Sequence, residues 1–260
     1  MRRIPGIDRR SPPHLSAMVA RGARPACIRS GFGTLLVLLI AMYGAVSTCA
    51  QVASDSALSQ VLRQMETVGK TFQTFQAQFT QKKYTSVLKE FDTPETGDFY
   101  YARAKDGSAL LRQEVNRPGR RILTIKGGLA TIFQPALNQA QLVNLGKNKD
   151  KAEYLALGLG QSPGKLGESF DLQYGGVEIV GNNPCSILTL KPKNPAAAAY
   201  FASITLWIKK SSGVPIQQRL QEPNGDYLLV NFAAERLNAP IPDAKFEQKL
   251  PSGVEILRLQ

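Results

Sequence analysis

Histidine is nearly absent from this chain of 260 residues, which contains one histidine, three cysteines and one tryptophan. His14, Cys27 and Cys49 all lie in the first fifty residues, so residues 51–260 have no histidine and a single cysteine, Cys185. This part of the chain cannot form an internal disulfide, a histidine-dependent catalytic site or a histidine-ligated zinc site. The sequence therefore predicts a protein that is not an enzyme and that holds no metal or other cofactor.

The first fifty residues have the composition of a secretory signal peptide. Residues 1–31 carry seven arginines and one acidic residue, and an uncharged apolar run follows from Phe32 to Val46. The run is shorter than the ~20 residues that a membrane-spanning helix needs, and small residues follow it at Thr48-Cys49-Ala50. We expect residues 1–50 to be cleaved on export and residues 51–260 to form one domain in the periplasm.

Two alternatives remain open within this segment. Val46-Ser47-Thr48-Cys49 is similar to a lipobox, although Thr48 is larger than the residue that usually precedes the acylated cysteine. Lipidation of Cys49 would anchor the protein to a membrane, whereas cleavage near Ala50 would release it. The chain begins either at Met1 or at Met18.

The net charge of +12 is shared between the leader and the rest of the chain. Residues 51–260 contain 25 basic and 19 acidic side chains, a net charge of +6. The basic residues are scattered in pairs such as Lys82-Lys83 and Arg120-Arg121, without interleaved aromatic rings on which bases could stack. We therefore expect no nucleic-acid partner.

Apolar periodicity predicts one long helix followed by a strand. Apolar residues recur at intervals of three and four over about 56–73, which predicts an amphipathic helix. From Phe75 the interval changes to two, because Phe75, Ala77 and Phe79 alternate with polar residues.

Alternation and turn residues predict about ten further strands. Their expected ranges are 98–103, 109–115, 121–126, 129–134, 139–145, 170–174, 177–180, 186–191, 203–209, 215–222 and 226–235. Short helices are expected over 148–159 and 195–201, a loop over 160–167 and an extended tail over 240–251. Trp207 has the opposite parity to Ile204, Leu206 and Ile208, and the pattern does not decide which face of the sheet it occupies.

These elements predict a mainly β (α+β) fold. Many antiparallel strands and few short helices favour an incomplete, strongly curved antiparallel β-barrel, with two or three short helices as a lid over an apolar cavity. A rival reading is a secreted enzyme that uses carboxylates or a Ser-Lys pair, and it would require a polar, acid-lined pocket.

Four segments, in order, resemble the LolA-type family of periplasmic outer-membrane lipoprotein carriers, a resemblance that covers about residues 57–257. They are Phe75–Gln81 after the amphipathic helix, Gly97–Arg103, Ile122–Pro135, and Asp243–Phe246 followed by Pro251–Val254. The resemblance implies a monomeric carrier that takes acylated lipoproteins from an inner-membrane ABC transporter and passes them to an outer-membrane acceptor. An anchored acceptor or a lipid-binding sensor of the same fold is the alternative.

The resemblance also implies roles for particular residues. Arg103 stands where the family has an arginine that closes the lid by bonding its carbonyl groups. The residues expected to contact the acyl chains are Leu58, Val61, Leu62 and Met65 on the helix, with Phe75, Phe79, Phe99 and Tyr101 on the sheet.

Overall fold

The computed structural model describes residues 55–145 and 154–259. The expected signal peptide, Cys49 and the first part of the helix expected over 148–159 lie outside the described residues. The described strands form one sheet of thirteen, which is curved and does not close. The expected mainly β, incomplete barrel is confirmed.

The bounds of the strands follow the predicted alternation closely. They are β1 (Thr74–Thr85), β2 (Glu90–Phe91), β3 (Glu95–Arg103), β4 (Ala109–Arg117), β5 (Arg121–Lys126), β6 (Leu129–Gln134), β7 (Gln139–Asn144), β8 (Phe170–Val180), β9 (Asn183–Pro192), β10 (Ser203–Lys209), β11 (Pro215–Gln221), β12 (Tyr227–Leu237) and β13 (Glu255–Leu259).

The sheet has the order β13-β7-β6-β5-β4-β3-β1-β12-β11-β10-β9-β8, with the short β2 beside β1. Neighbouring strands are antiparallel except for β13, which pairs with β7 in parallel. The chain therefore builds two meanders that meet where β1 pairs with β12, from Phe75 opposite Leu237 to Tyr84 opposite Tyr227.

Three α-helices accompany the sheet in the described part of the chain: α1 (55–71), α2 (Pro163–Ser169) and α3 (Pro195–Ala198). None of these helices is long and apolar enough to cross a membrane. Asn194 caps α3 as its sequence predicts, because its Oδ1 accepts a hydrogen bond from the Ala196 amide at 2.8 Å.

Two large clusters of buried side chains occupy the inner face of the sheet. The aromatic cluster consists mainly of Phe72, Phe75, Phe79, Phe99, Tyr101, Leu111, Leu159 and Phe232. The aliphatic cluster consists of Val61, Met65, Leu157, Leu166, Phe170, Leu188, Leu190, Ile204, Leu206, Ile208 and Leu220. The apolar stripe of α1 covers both, since Val61 and Met65 join the aliphatic cluster while Val68 packs against the aromatic one.

Trp207 lies on the outer face. It packs with Cys185 and Ile216 in a smaller cluster, and its Nε1 donates a hydrogen bond to Glu178 Oε2 at 2.8 Å. The indole is therefore buried and its polar atom is satisfied, so it is not an exposed contact residue.

The prediction of a loop over 160–167 is wrong, because α2 begins at Pro163. Its two glycines lower helix propensity, but the burial of Leu166 and the cap at Ser162 override that preference. The described end of the helix expected over 148–159 is a single 3-10 turn, Tyr154–Ala156, followed by turns.

Two other expectations about strands are also wrong. The strands expected over 170–174 and 177–180 are one strand, β8, whose register shifts at a bulge between Tyr174 and Val177. The expected extended tail contains a 3-10 turn at Asp243–Phe246 and leads into β13, which alternation alone did not reveal because its pairing partner is remote in sequence.

Candidate functional site

The site is formed where α1 ends and a short stretch of chain crosses over the sheet. We call residues 154–161 the lid segment; it contains the 3-10 turn Tyr154–Ala156 and the turns that follow it. Ala156, Leu157 and Leu159 from this segment are buried in the two inner clusters. The lid segment and α1 together cover the apolar inner face.

Arg103 joins the lid segment to α1. It is the last residue of β3, and its Nη2 donates a hydrogen bond to the Gly160 carbonyl oxygen. Its Nη1 lies 3.5 Å from the Gly69 carbonyl oxygen near the end of α1. A planar guanidinium has five donors, so a single side chain can hold both backbone segments at once.

Two glycines allow the backbones to approach each other under this arginine. Gly160 has a φ of +67°, and a Cβ added there would lie 2.3 Å from atoms of the Phe72 ring. A Cβ at Gly69 would lie 3.3 Å from the Gly160 carbonyl oxygen. Any larger residue at position 160 would lift the lid segment away from the aromatic cluster.

Gln218 binds the lid segment from the side of the sheet. This β11 residue is only 1% exposed on the inner face, and its Nε2 donates a hydrogen bond to the Leu157 carbonyl oxygen at 2.9 Å. Gln218 is not predicted from the sequence, because a glutamine in an alternating strand resembles a residue of the solvated face. The glycines at 158 and 160 are the signal that could have indicated tight packing of the lid segment.

The structure places the eight expected acyl-contact residues in two groups. Phe75, Phe79, Phe99 and Tyr101 belong to the aromatic cluster, whereas Leu58, Val61, Leu62 and Met65 pack in the aliphatic cluster. Phe75 is 0% exposed and its ring lies 5.5 Å from that of Phe232 and 6.1 Å from that of Phe99. The interior is therefore filled by the protein's own side chains.

A cleft of about 990 Å³ opens beside Arg103. It is bordered by the end of α1, the beginning of β4, the lid segment, α2 and α3, and charged side chains lie along it: Glu66, Lys70, Lys165, Glu168 and Lys193. Of the nine expected site residues, only Tyr101 and Arg103 line this cleft. Apolar side chains of the inner clusters, including Leu157, Leu166 and Phe170, line it as well, so the cleft adjoins the apolar interior.

Two features of the described residues concern metal binding and thiol chemistry. No group of three or more His, Cys, Asp or Glu side chains that could hold a metal ion occurs among residues 55–145 and 154–259. Burial raises the pKa of the Cys185 thiol, which lies on the outer face away from the lid segment. A thiol in this environment is a poor nucleophile.

The family model of the outer membrane lipoprotein carrier protein LolA matches residues 70–249. The chain belongs to the LolA family. The match includes β1 to β12, the lid segment and Arg103, whereas most of α1 precedes it. The LolA family is a family of binding and carrier proteins.

Individual relatives extend the likeness along the chain. An outer-membrane lipoprotein carrier protein from Pseudomonas entomophila is 24% identical over 86% of this chain and 97% of its own length. The protein with the same description from Pseudomonas putida is 23% identical over 68% of this chain and 87% of its own length. The crystal structure of MucB matches with a TM-score of 0.48 and 15% identity over 78% of this chain; the match spans 66% of the MucB chain, slightly less than two thirds.

Proposed function

We propose that this LolA-family protein is a periplasmic carrier that encloses the acyl chains of lipoproteins and shuttles them from the inner to the outer membrane. The observation that carries the proposal is the closure of an apolar interior by a lid that exchangeable hydrogen bonds hold in place. Arg103 supplies these bonds to Gly160 and Gly69, at the entrance to the interior. Membership of the family and the descriptions of the two Pseudomonas relatives support it.

The physical need for such a protein follows from the hydrophobic effect. Burying one methylene group is worth ~0.8 kcal/mol, so exposing a sixteen-carbon acyl chain to water costs on the order of 10 kcal/mol. A cargo of this kind crosses an aqueous compartment only when an apolar interior encloses it. Binding, without bond making or breaking, is sufficient for the task.

The two inner clusters are the proposed binding site of the acyl chains. Charged residues line one part of the cleft beside Arg103 and would face the polar part of a cargo, whereas Leu157, Leu166 and Phe170 of the aliphatic cluster line another part. The hydrocarbon would enter beneath α1, either against Val61 and Met65 in the aliphatic cluster or against Phe75 and Phe99 in the aromatic cluster.

Arg103 would act as the latch of the closed form. When cargo lifts the lid segment, the arginine loses its bonds to the Gly160 and Gly69 carbonyl oxygens, and this loss opposes loading. When cargo leaves, the same bonds form again and favour release. The latch therefore keeps the affinity for cargo low enough for transfer to an acceptor.

The proposed partners follow from this role. They are acylated lipoproteins as cargo, an inner-membrane ABC transporter as donor and an outer-membrane acceptor as recipient, with the carrier acting as a monomer. Native mass spectrometry of the exported protein is the direct test of the cargo. We expect acyl species bound to the protein, and finding none, together with no uptake of an apolar fluorescent probe, would remove the carrier function.

Replacement of Arg103 tests the latch. A hydrogen bond to a charged group contributes about 1.5–3 kcal/mol, so Arg103→Leu should strengthen the retention of an acyl probe by roughly ten- to a hundredfold. Release to acceptor vesicles should slow by a similar factor, measured as the rate of fluorescence loss. Lys105→Leu, which removes an exposed charge two residues away, is the matched control and should behave as the wild type. Equal release by Arg103→Leu and wild type would rule out the latch.

The lipobox-like Val46-Ser47-Thr48-Cys49 supports a second candidate, an anchored acceptor or sensor of the same fold. The intact mass of the exported protein separates the two candidates. A mass increased by acyl chains on Cys49 indicates the anchored form. The mass of an unmodified chain that begins near Gln51 indicates the free carrier.

A further inference from the structure

Two large apolar side chains project into solvent at the turn after β1. Val87 is 88% exposed and Leu88 is 63% exposed, values that are unusual because turn positions favour small polar residues. We call these two residues the apolar tip. They lie outside both inner clusters, so the packing of the fold does not account for them.

Hydrogen bonds from a neighbouring turn hold the apolar tip in place. The Ser86 amide donates to Asp226 Oδ1 at 2.8 Å, and the Ser86 hydroxyl donates to the Asn224 carbonyl oxygen at 3.0 Å. Asp226 is itself buried and lies 3.7 Å from Lys83 Nζ. The β11–β12 turn therefore holds the residue that directly precedes the apolar tip.

Three aromatic rings form a layer directly behind the tip. The Tyr84 ring lies 4.8 Å from that of Tyr227 and 5.2 Å from that of Phe91. Lys82 Nζ lies 4.0 Å above the Phe91 ring. Apolar groups followed by tyrosines and a lysine match the order of environments at a membrane surface, where aromatic residues lie at the level of the headgroups.

The next turn at this end of the sheet adds positive charge. The exposed Arg117 ends β4 and the exposed Arg120 lies in the turn before β5. The antiparallel pairing of β1 with β3 and of β3 with β4 brings this turn to the same end as the tip. Glu90 and Asp92 follow the tip and oppose binding to an anionic surface, and the exposed Lys89, Arg117 and Arg120 offset their charge.

We propose that the apolar tip docks this protein on the surface of an anionic phospholipid bilayer, with Val87 and Leu88 inserted and Arg117 and Arg120 at the headgroups. A two-residue convex projection fits a deformable lipid surface, since it offers little area for a stable protein interface. Arg103 and the cleft lie at the other end of β3, so docking by the tip leaves the cleft open to the aqueous phase.

Flotation with phospholipid vesicles tests this proposal. The wild-type protein should bind vesicles of phosphatidylcholine and phosphatidylglycerol at a ratio of about 7:3 more tightly than vesicles of phosphatidylcholine alone. Val87→Ser with Leu88→Ser should lower the partition coefficient at least about tenfold, since two apolar side chains leave the lipid. Arg117→Gln with Arg120→Gln should remove only the preference for the anionic vesicles.

Ile179→Ser is the matched control, because Ile179 is 70% exposed on β8 and away from the tip. It should bind vesicles as the wild type does. A wild type that floats with neither kind of vesicle, as expected for a tip that binds a protein, would overturn the proposal, and so would unchanged binding by the tip variant. Uptake of a soluble acyl probe by the tip variant reports separately on the carrier function and should be unaffected.

Discussion

Arg103 and Gln218 hold the same lid segment from opposite sides. Arg103 reaches the Gly160 carbonyl oxygen from the end of β3, while Gln218 reaches the Leu157 carbonyl oxygen from the floor of the sheet. A backbone carbonyl buried without a partner costs free energy, so each side chain also satisfies a group that the lid segment would otherwise bury unpaired. The two side chains differ in exposure, since Arg103 is half-buried at the cleft and Gln218 is fully buried.

Gln218→Leu should therefore destabilise the closed form. The substitution keeps an apolar interior but leaves the Leu157 carbonyl oxygen without its donor, and we expect a loss of about 1–2 kcal/mol in the free energy of unfolding. Urea denaturation measures this loss. Gln217→Leu, on the neighbouring residue whose side chain points to the opposite face beside Trp207, should change the same quantity by less than about 0.5 kcal/mol. Equal effects from the two variants would contradict the tether.

At the scale of the elements, the local sequence pattern was sufficient to predict the bounds of strands where both the alternation and the turn residues were clear. The strands expected over 121–126 and 129–134 have those bounds in the structure, because Gly127-Gly128 supplies the positive φ values that the turn between them requires. β2, β13 and α2 could not be predicted in this way. β13 exists only because β7 offers a free edge, and α2 depends on the burial of Leu166.

The chain after β12 is attached to the sheet by an ion-pair network that local pattern also did not reveal. Glu114 Oε1 on β4 accepts hydrogen bonds from Arg112 Nε at 2.6 Å and lies 2.7 Å from Lys245 Nζ in the 3-10 turn Asp243–Phe246. Burial raises the pKa of the Glu114 carboxyl, but the bonds from Lys245 and Arg112 outweigh it and hold the pKa below its ordinary value of 4.5. The ionised carboxylate therefore stabilises the folded state.

The pH dependence of stability follows from this lowered pKa. Because the folded-state pKa lies below the unfolded one, the stabilisation is complete above about pH 4.5 and is lost as the pH falls through the folded-state value. Glu114→Gln should lower the urea midpoint at pH 7 and should show a smaller further loss than the wild type between about pH 5 and pH 3. Glu247→Gln is the control, because Glu247 is an exposed carboxylate paired with Lys126. It should leave the urea midpoint at pH 7 and its change between about pH 5 and pH 3 nearly as in the wild type. Parallel pH profiles for Glu114→Gln and wild type would contradict this account.

In the molecule as a whole, the family features were readable from the sequence but the closed state was not. The order of motifs from Phe75 to Val254 led to the curved, unclosed sheet, because strands and turns are local properties. The division of the interior into two clusters is not local: it depends on α1 crossing both halves of the sheet, which places Met65 beside the strands β8 to β11 and Phe72 beside β1 and β3. The side chains of the interior could therefore be predicted from the sequence, but their close packing against each other could not.

A filled interior requires that the protein open in order to load. The aromatic and aliphatic clusters leave residues such as Phe75, Leu159 and Leu206 with 0% exposure, and the cleft beside Arg103 reaches only cluster residues at their border, such as Leu166. An acyl chain that enters the clusters must displace these contacts, and the lid segment has fewer anchors than the strands of the sheet. We therefore expect cargo to lift the lid segment and leave the sheet in place.

Hydrogen exchange on the empty and loaded protein tests this expectation. Amides of Leu157 and Leu159, which donate within the lid segment, should exchange at least about tenfold faster in the loaded form, because lifting the segment exposes them to water and removes the packing that supports these local turns. Amides in the centre of β1 and β3 should keep their protection, since their ladder bonds connect strands that do not separate. In Arg103→Leu the lid amides of the empty protein should already exchange faster. If the lid amides are equally protected with and without cargo, acyl chains do not enter beneath the lid segment.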